Sequence, residues 1–127
     1  MKFISITSIF GGCDILFKTL LLFIVLDYIT GILKAIYQKK LNSDISSKGI
    51  IKKFGYIFIV ILAATLDTLI NDNYHIRQMI IYMFIANEGI SIIENWASMG
   101  IKIPNIIKEK FADIGGENNE SNNQSNL

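Results

Sequence analysis

The chain has 127 residues, enough for one domain, with 51% hydrophobic and 18% charged residues and a mean hydropathy of +0.42. Twelve Lys+Arg against eleven Asp+Glu leave no basic field to hold nucleic acid, and one cysteine and one proline exclude a disulfide scaffold and a collagen-like repeat. So apolar a composition fits either a greasy soluble bundle or a small membrane protein, and the placement of the apolar residues decides between them.

In chain order, Phe3 to Phe10 is apolar but only eight residues long, and Gly11-Gly12 interrupts it. With a single lysine, a truncated apolar region and no small-x-small site it does not fit a signal peptide, and it reads as an interfacial lead-in. Cys13 stands alone, so it forms no intramolecular disulfide and no zinc cluster. Thr19 to Ile36, Phe54 to Ile70 and Gln78 to Ile93 are three long apolar runs. Flanking lysines and aromatics bring each to the roughly 20 residues a membrane crossing needs. Tyr56 to Leu66 is apolar all round, unlike a surface helix, which keeps a polar face. The spacing predicts spans over about 18–37, 54–71 and 77–98. His75, in the short connection between the second and third spans, reads as a solvated loop residue.

Past the third span, Gly100 and Pro104 mark a helix end and a helix start. Ile103, Ile106, Ile107, Phe111 and Ile114 then recur at helical spacing, predicting an amphipathic helix over about 104–112 lying on the inner membrane surface. Residues 113–127 are rich in Asn, Gly, Ser and Glu and predict a disordered cytoplasmic tail. The expected architecture is an all-α membrane protein: three transmembrane helices, an amphipathic C-terminal helix and a disordered tail.

Lysines set the expected orientation. Lys39, Lys40, Lys48, Lys52 and Lys53 lie in the first connection and Lys102, Lys108 and Lys110 near the C-terminus, against Lys2, Lys18 and Arg77 on the other side. The positive-inside rule then places the N-terminus out and the C-terminus in. The first connection, from Lys39 and Lys40 to Lys53, is then expected on the inner side, with Lys48, Lys52 and Lys53 on an anionic inner leaflet at about 1 kcal/mol each.

Each span carries a carboxylate where charge is costly, by about 2.5–3.5 kcal/mol at the bilayer centre. Asp27, Thr30, Gly31 and Lys34 share a face of the first span, with Tyr28 beside them. Asn87, Ser91, Glu94, Asn95 and Ser98 form a stripe on the third span, next to Glu88, and Asp67 lies on a shorter stripe with Ala63, Ala64, Thr68 and Asn71 on the second. Such stripes either bond the helices of one protomer together or face water in an assembled oligomer; both readings stay open at this level. No nucleophile sits near a base, and no phosphate loop or metal-ligand spacing is present, so neither an enzyme nor a cofactor is expected.

FGGCD (10–14), LDYITGILKAI (26–36), SSKGIIKK (46–53), LAATLDTL (62–69), Arg77 and NEGISIIENWASMGIKIP (87–104) occur in an order and spacing that resembles the toxin-secretion/phage-lysis holin family. The resemblance covers residues 10 to 110, and Cys13 departs from the aromatic residue usual there. It implies a homo-oligomer that opens lesions in the cytoplasmic membrane, paired in function with a cell-wall hydrolase or an exported toxin. Asp27, Tyr28, Thr30 and Gly31, with Asn87, Glu88, Ser91, Glu94 and Asn95, would then be the assembly or lumen-facing set, and Ser46, Ser47, Lys48, Gly49, Lys52 and Lys53 would form the inner-leaflet loop. The residues alone also admit a small ion channel or transporter subunit, or an accessory membrane protein that leaves permeability unchanged.

Overall fold

The computed structural model describes residues 12, 14–40, 43–70 and 75–116, with side chains left aside for 43–48. The expected lead-in, Cys13, Asn71 and the tail from residue 117 onward lie outside the described residues. Four helices follow in order among the described residues: α1 Ile15–Tyr37, α2 Ser43–Ile70, α3 Ile76–Ser98 and α4 Asn105–Ile114. Three are long and apolar enough to cross a membrane, over Ile15–Tyr37, Gly49–Ile70 and Ile76–Ser98. The chain is an all-α membrane protein with three spanning helices and a shorter C-terminal one.

The helix ends refine the expected bounds. α1 starts three residues before 18 because Asp14 caps it, its Oδ1 accepting the Phe17 N–H at 3.0 Å. It ends where Lys39 adopts a left-handed φ of 56°, and Lys40 N–H bonds back to the Ala35 carbonyl. α2 begins at Ser43, eleven residues before the expected 54, so much of the expected inner-leaflet loop is helix, Gly49, Lys52 and Lys53 included. Polar residues end an apolar run without ending a helix; only a cap or breaker does that, and a lone Gly49 is a weak breaker. α3 stops just before Gly100, whose φ of +91° lets Ile101 N–H reach the Trp96 carbonyl. Pro104 then caps α4, one position outside its expected place.

α3 is the central helix. Within its spanning window 39% of residues are buried, against 17% in α1 and in α2. α1 runs parallel to it and α2 antiparallel, and both pack on α3 while touching each other little. The core joins Phe17 and Leu20 of α1, Val60 of α2, and Ile81, Phe84 and Ile85 of α3. Tyr56 stacks on Phe84 with ring centroids 4.2 Å apart. Apolar residues also cover the outside: Leu22 is 54% exposed, Phe58 69% and Met79 68%. In water these would be a large uncovered apolar surface; against lipid tails they need no protein partner.

α4 departs from the expected placement on the membrane surface. It turns back antiparallel along α3, with Gly115 against Ala86 and the Phe111 ring seated over Gly89. Phe111 also meets Phe23 of α1 edge-on, at 5.7 Å between centroids. The reason is local: Gly100 and Pro104 reverse the chain, and the bare backbone at Gly89 leaves room for a ring. The helix also runs through Ile114, two residues into the segment expected as tail. A Cβ at Gly89 would lie 2.7 Å from the Phe111 ring, well inside contact distance. Gly89→Ala therefore releases α4 while strengthening α3 by up to about 1 kcal/mol of helix propensity. Hydrogen exchange over 105–114 should quicken by about tenfold or more, with exchange in the middle of α3 unchanged or slower.

Candidate functional site

Two charged clusters sit at opposite ends of the bundle. The deeper one gathers residues from all three spans. Lys53 Nζ donates to Asp27 Oδ2 at 2.7 Å and to Glu88 Oε2 at 2.9 Å, tying α1, α2 and α3 through one ammonium. The Glu88 side chain is 4% exposed and those of Lys53 and Asp27 are each 15% exposed. Asn95 completes the cluster, its Nδ2 donating to Asp27 Oδ1 at 3.1 Å and to Thr30 Oγ1 at 2.9 Å. Thr30 in turn donates to the Asp27 carbonyl. A Cβ built on Gly31 would sit at an ordinary contact distance of 3.9 Å from Asn95 Nδ2, so this position faces Asn95 across the α1–α3 interface.

The local sequence explains the meeting. Asp27, Thr30 and Gly31 stand on the α1 face that looks at α3, while Glu88 and Asn95, seven residues apart, stand on one face of α3. Lys53, one turn inside the apolar part of α2, has a stem long enough to carry its charge from the helix end toward the deeper carboxylates. An open cleft of about 550 Å³ adjoins the network, and Tyr28, Lys34 and Ser91 line it together with Asp27, Lys53 and Glu88.

The second cluster closes the other end. Arg77 is 7% exposed. Its guanidinium makes a two-pronged bond to Asp14, Nη1 to Oδ2 at 3.0 Å and Nη2 to Oδ1 at 3.2 Å, and Nη2 donates to the Gly12 carbonyl at 2.8 Å. The hydrogen bond from Arg77 holds the Asp14 carboxyl below its ordinary range, reinforced by the Phe17 N–H and opposed by partial burial. Asp67 of α2 accepts the N–H groups of Ile76 and Arg77 at 2.9 and 3.0 Å. It caps α3 from a neighbouring helix, where His75 makes no side-chain cap bond.

The expected stripe residues therefore divide. Asp27, Thr30, Glu88 and Asn95 are bonded inside one protomer, with Gly31 facing Asn95. Tyr28, Lys34 and Ser91 line the cleft, and Asp67 is occupied as a helix cap. Asn87 and Glu94 are exposed on α3, with no hydrogen-bond partner among the described residues. Of the expected loop set, Lys39 and Lys40 lie past the end of α1, and Ser46, Ser47 and Lys48 fall in the first turns of α2, where side chains are not described. Lys53 belongs to the charged network instead of a loop: two carboxylates inside the bundle draw in the nearest available cation.

Sequence reasoning missed the Lys53 bridge and the Asp14–Arg77 pair. Both left signals. Buried carboxylates demand a counter-charge, and Arg77 is the one arginine among eleven lysines, at a place where a rigid two-pronged donor is required. Among the described residues, no group of three or more His, Cys, Asp or Glu could hold a metal ion.

Three spanning helices joined inside the membrane by a buried ionic network define a small multi-pass membrane protein. The chain belongs to the bacteriophage holin family, whose model matches residues 4–116. It is 35% identical over 96 residues to a probable holin of Bacillus phage phi105, covering 76% of this chain and 71% of the phage protein. An uncharacterized protein of Clostridium perfringens is 41% identical over 114 residues, covering 89% of this chain and 84% of the relative. One of Listeria monocytogenes is 37% identical over 119 residues, covering 91% and 85%. No solved structure matches the chain.

Proposed function

We propose that this protein is a holin that assembles into homo-oligomers in the cytoplasmic membrane and opens lesions there. Through them a cell-wall hydrolase, or an exported toxin, leaves the cell and lysis follows. Family membership supports the class. Within the fold, the observation that carries the reading is the outer polar face of α3. Asn87 and Glu94 are seven residues apart, share that face and point away from the internal network. Asn87 stands eleven residues from the end of α3 at Ser98, about 16 Å along the helix. An unpaired amide at that depth is costly in lipid and is satisfied by the same face of a second protomer.

The Asp27–Lys53–Glu88–Asn95 network has a second part in this reading. Packed within one protomer it hides polar surface from lipid; when protomers repack, the same groups turn to water and border a hole. The lysine bias supports an orientation with the N-terminus outside and the C-terminus inside. No step of this mechanism requires catalysis.

Induced expression beside a cell-wall hydrolase that has no export route of its own tests the proposal. Growth should stop abruptly after a delay, with the hydrolase released, and an uncoupler should bring the event forward. Asn87→Leu should delay onset markedly at equal membrane abundance. Glu88→Gln should shift the timing more than Glu109→Gln on α4. Smooth growth at high membrane abundance overturns the proposal, and a saturable ion flux without hydrolase release assigns the protein to selective transport instead.

A further inference from the structure

We propose that the cleft at the lysine-bearing end of the bundle binds the phosphodiester headgroup of an anionic phospholipid. α1 and α2 both pack on α3 and scarcely on each other, so a space of about 550 Å³ remains between them, with Gly31 and Gly49 on its walls. Lys34, Lys40 and Lys52 also line it, and none has a salt bridge or hydrogen bond to another side chain among the described residues. Lys53, Asp27 and Glu88, deeper along their helices, are committed to one another. The four lysines and two carboxylates of the lining leave a formal charge of +2, the three uncommitted ammonium groups outweighing the single negative charge left over in the Lys53–Asp27–Glu88 network.

The positions match the depth of a headgroup. Lys34 is three residues inside the end of α1 and Lys52 three residues inside the apolar part of α2, each about 4.5 Å from its span end. Ammonium groups there lie at the boundary where lipid phosphates sit, and lysine binds phosphate as a point charge. Basic clefts between spanning helices hold anionic headgroups in this way. A lipid is favoured over a free phosphate because apolar groups, Ile32, Ala35 and the ring of Tyr56, line the same cleft as the lysines, with Ile32 and Tyr56 further inside their spans than Lys34 and Lys52. The site does not depend on lesion formation, so it stands or falls separately from the holin reading.

The full chain, purified in neutral detergent and mixed with equal phosphatidylglycerol and phosphatidylcholine, is examined by native mass spectrometry for the lipid it retains. Wild type should keep phosphatidylglycerol with about tenfold preference. Lys34→Gln with Lys52→Gln should bring the ratio close to one, and Lys34→Arg with Lys52→Arg should restore it. Lys40→Gln, outside every helix and harmless to folding, should give a partial loss. Lys108→Gln with Lys110→Gln, on α4, should leave the preference intact, and inorganic phosphate at the lipid's concentration should not displace the lipid. Equal retention of the two lipids by wild type overturns the proposal, as does an unaltered preference in the Lys34/Lys52 pair of glutamines. Loss in the α4 variant assigns the effect to general charge, and displacement by inorganic phosphate assigns the cleft to a free anion; either result overturns the lipid site.

Discussion

Lys53→Met destabilises the three-span bundle by about 3–5 kcal/mol, as removal of one partner from a buried charged network does. The substitution leaves Asp27 and Glu88 facing each other with no cation between them, and the Glu88 side chain is 4% exposed. Lys52→Met, one residue away on the exposed face, changes stability by no more than about 0.5 kcal/mol. Replacing the whole network, Asp27→Asn with Lys53→Met and Glu88→Gln, recovers most of the loss, because no uncompensated charge remains. Unfolding by increasing SDS in mixed micelles, followed by helical circular dichroism, measures all three. Equal stability of Lys53→Met and Lys52→Met would show that the bridge does not hold the spans together.

At the opposite end, Asp14→Asn should cost more than Arg77→Met: about 2–3 against about 1–2 kcal/mol. Asparagine caps a helix as well as aspartate does, so Asp14→Asn isolates the loss of charge. What it leaves behind is a guanidinium only 7% exposed. Arg77→Met leaves the Asp14 side chain, which is 43% exposed and readily hydrated. The pH dependence carries the same sign. Because the Asp14 carboxyl is held below its ordinary value of 3.8 by Arg77, its contribution is complete above that value and is lost as pH falls through the lowered one. The stability gap between wild type and Asp14→Asn should be constant from about pH 8 to 5 and close below about pH 4. A gap that instead closed between pH 7 and 5 would exclude Asp14 as the group responsible.

Much of the fold was legible in the residues, and the misses share a cause. The three apolar runs located the spans because lipid imposes a requirement on every residue of a crossing helix, and a simple count detects it. Gly100 and Pro104 marked a break that α3 and α4 respect to within a residue. The start of α2 was not legible in this way, since a helix continues past its apolar part wherever no cap stops it. The amphipathic spacing from Ile103 to Ile114 correctly gave a helix with an apolar face, but not what that face meets. Phe111 over Gly89 is a contact between residues 22 positions apart, and no local period encodes it.

The polar residues show the division most clearly. Asp27, Glu88 and Asn95 stood out because charge and amide groups inside an apolar run are costly, a property of each residue in its own segment. Lys53 did not stand out, because it lies among lysines at a helix end and becomes special only through the carboxylates that α1 and α3 bring to it at 2.7 and 2.9 Å. The sequence by itself determined that the chain enters a membrane, how many times it crosses, and which groups are uncomfortable there, because these follow from the free energy of transferring each segment into lipid. Only the tertiary structure decided which groups relieve that discomfort: Lys53 for the two carboxylates, Arg77 for Asp14, and Asp67 for the start of α3. Electrostatic pairing acts over a few ångströms of space, and the neighbours within that range are set by how helices pack.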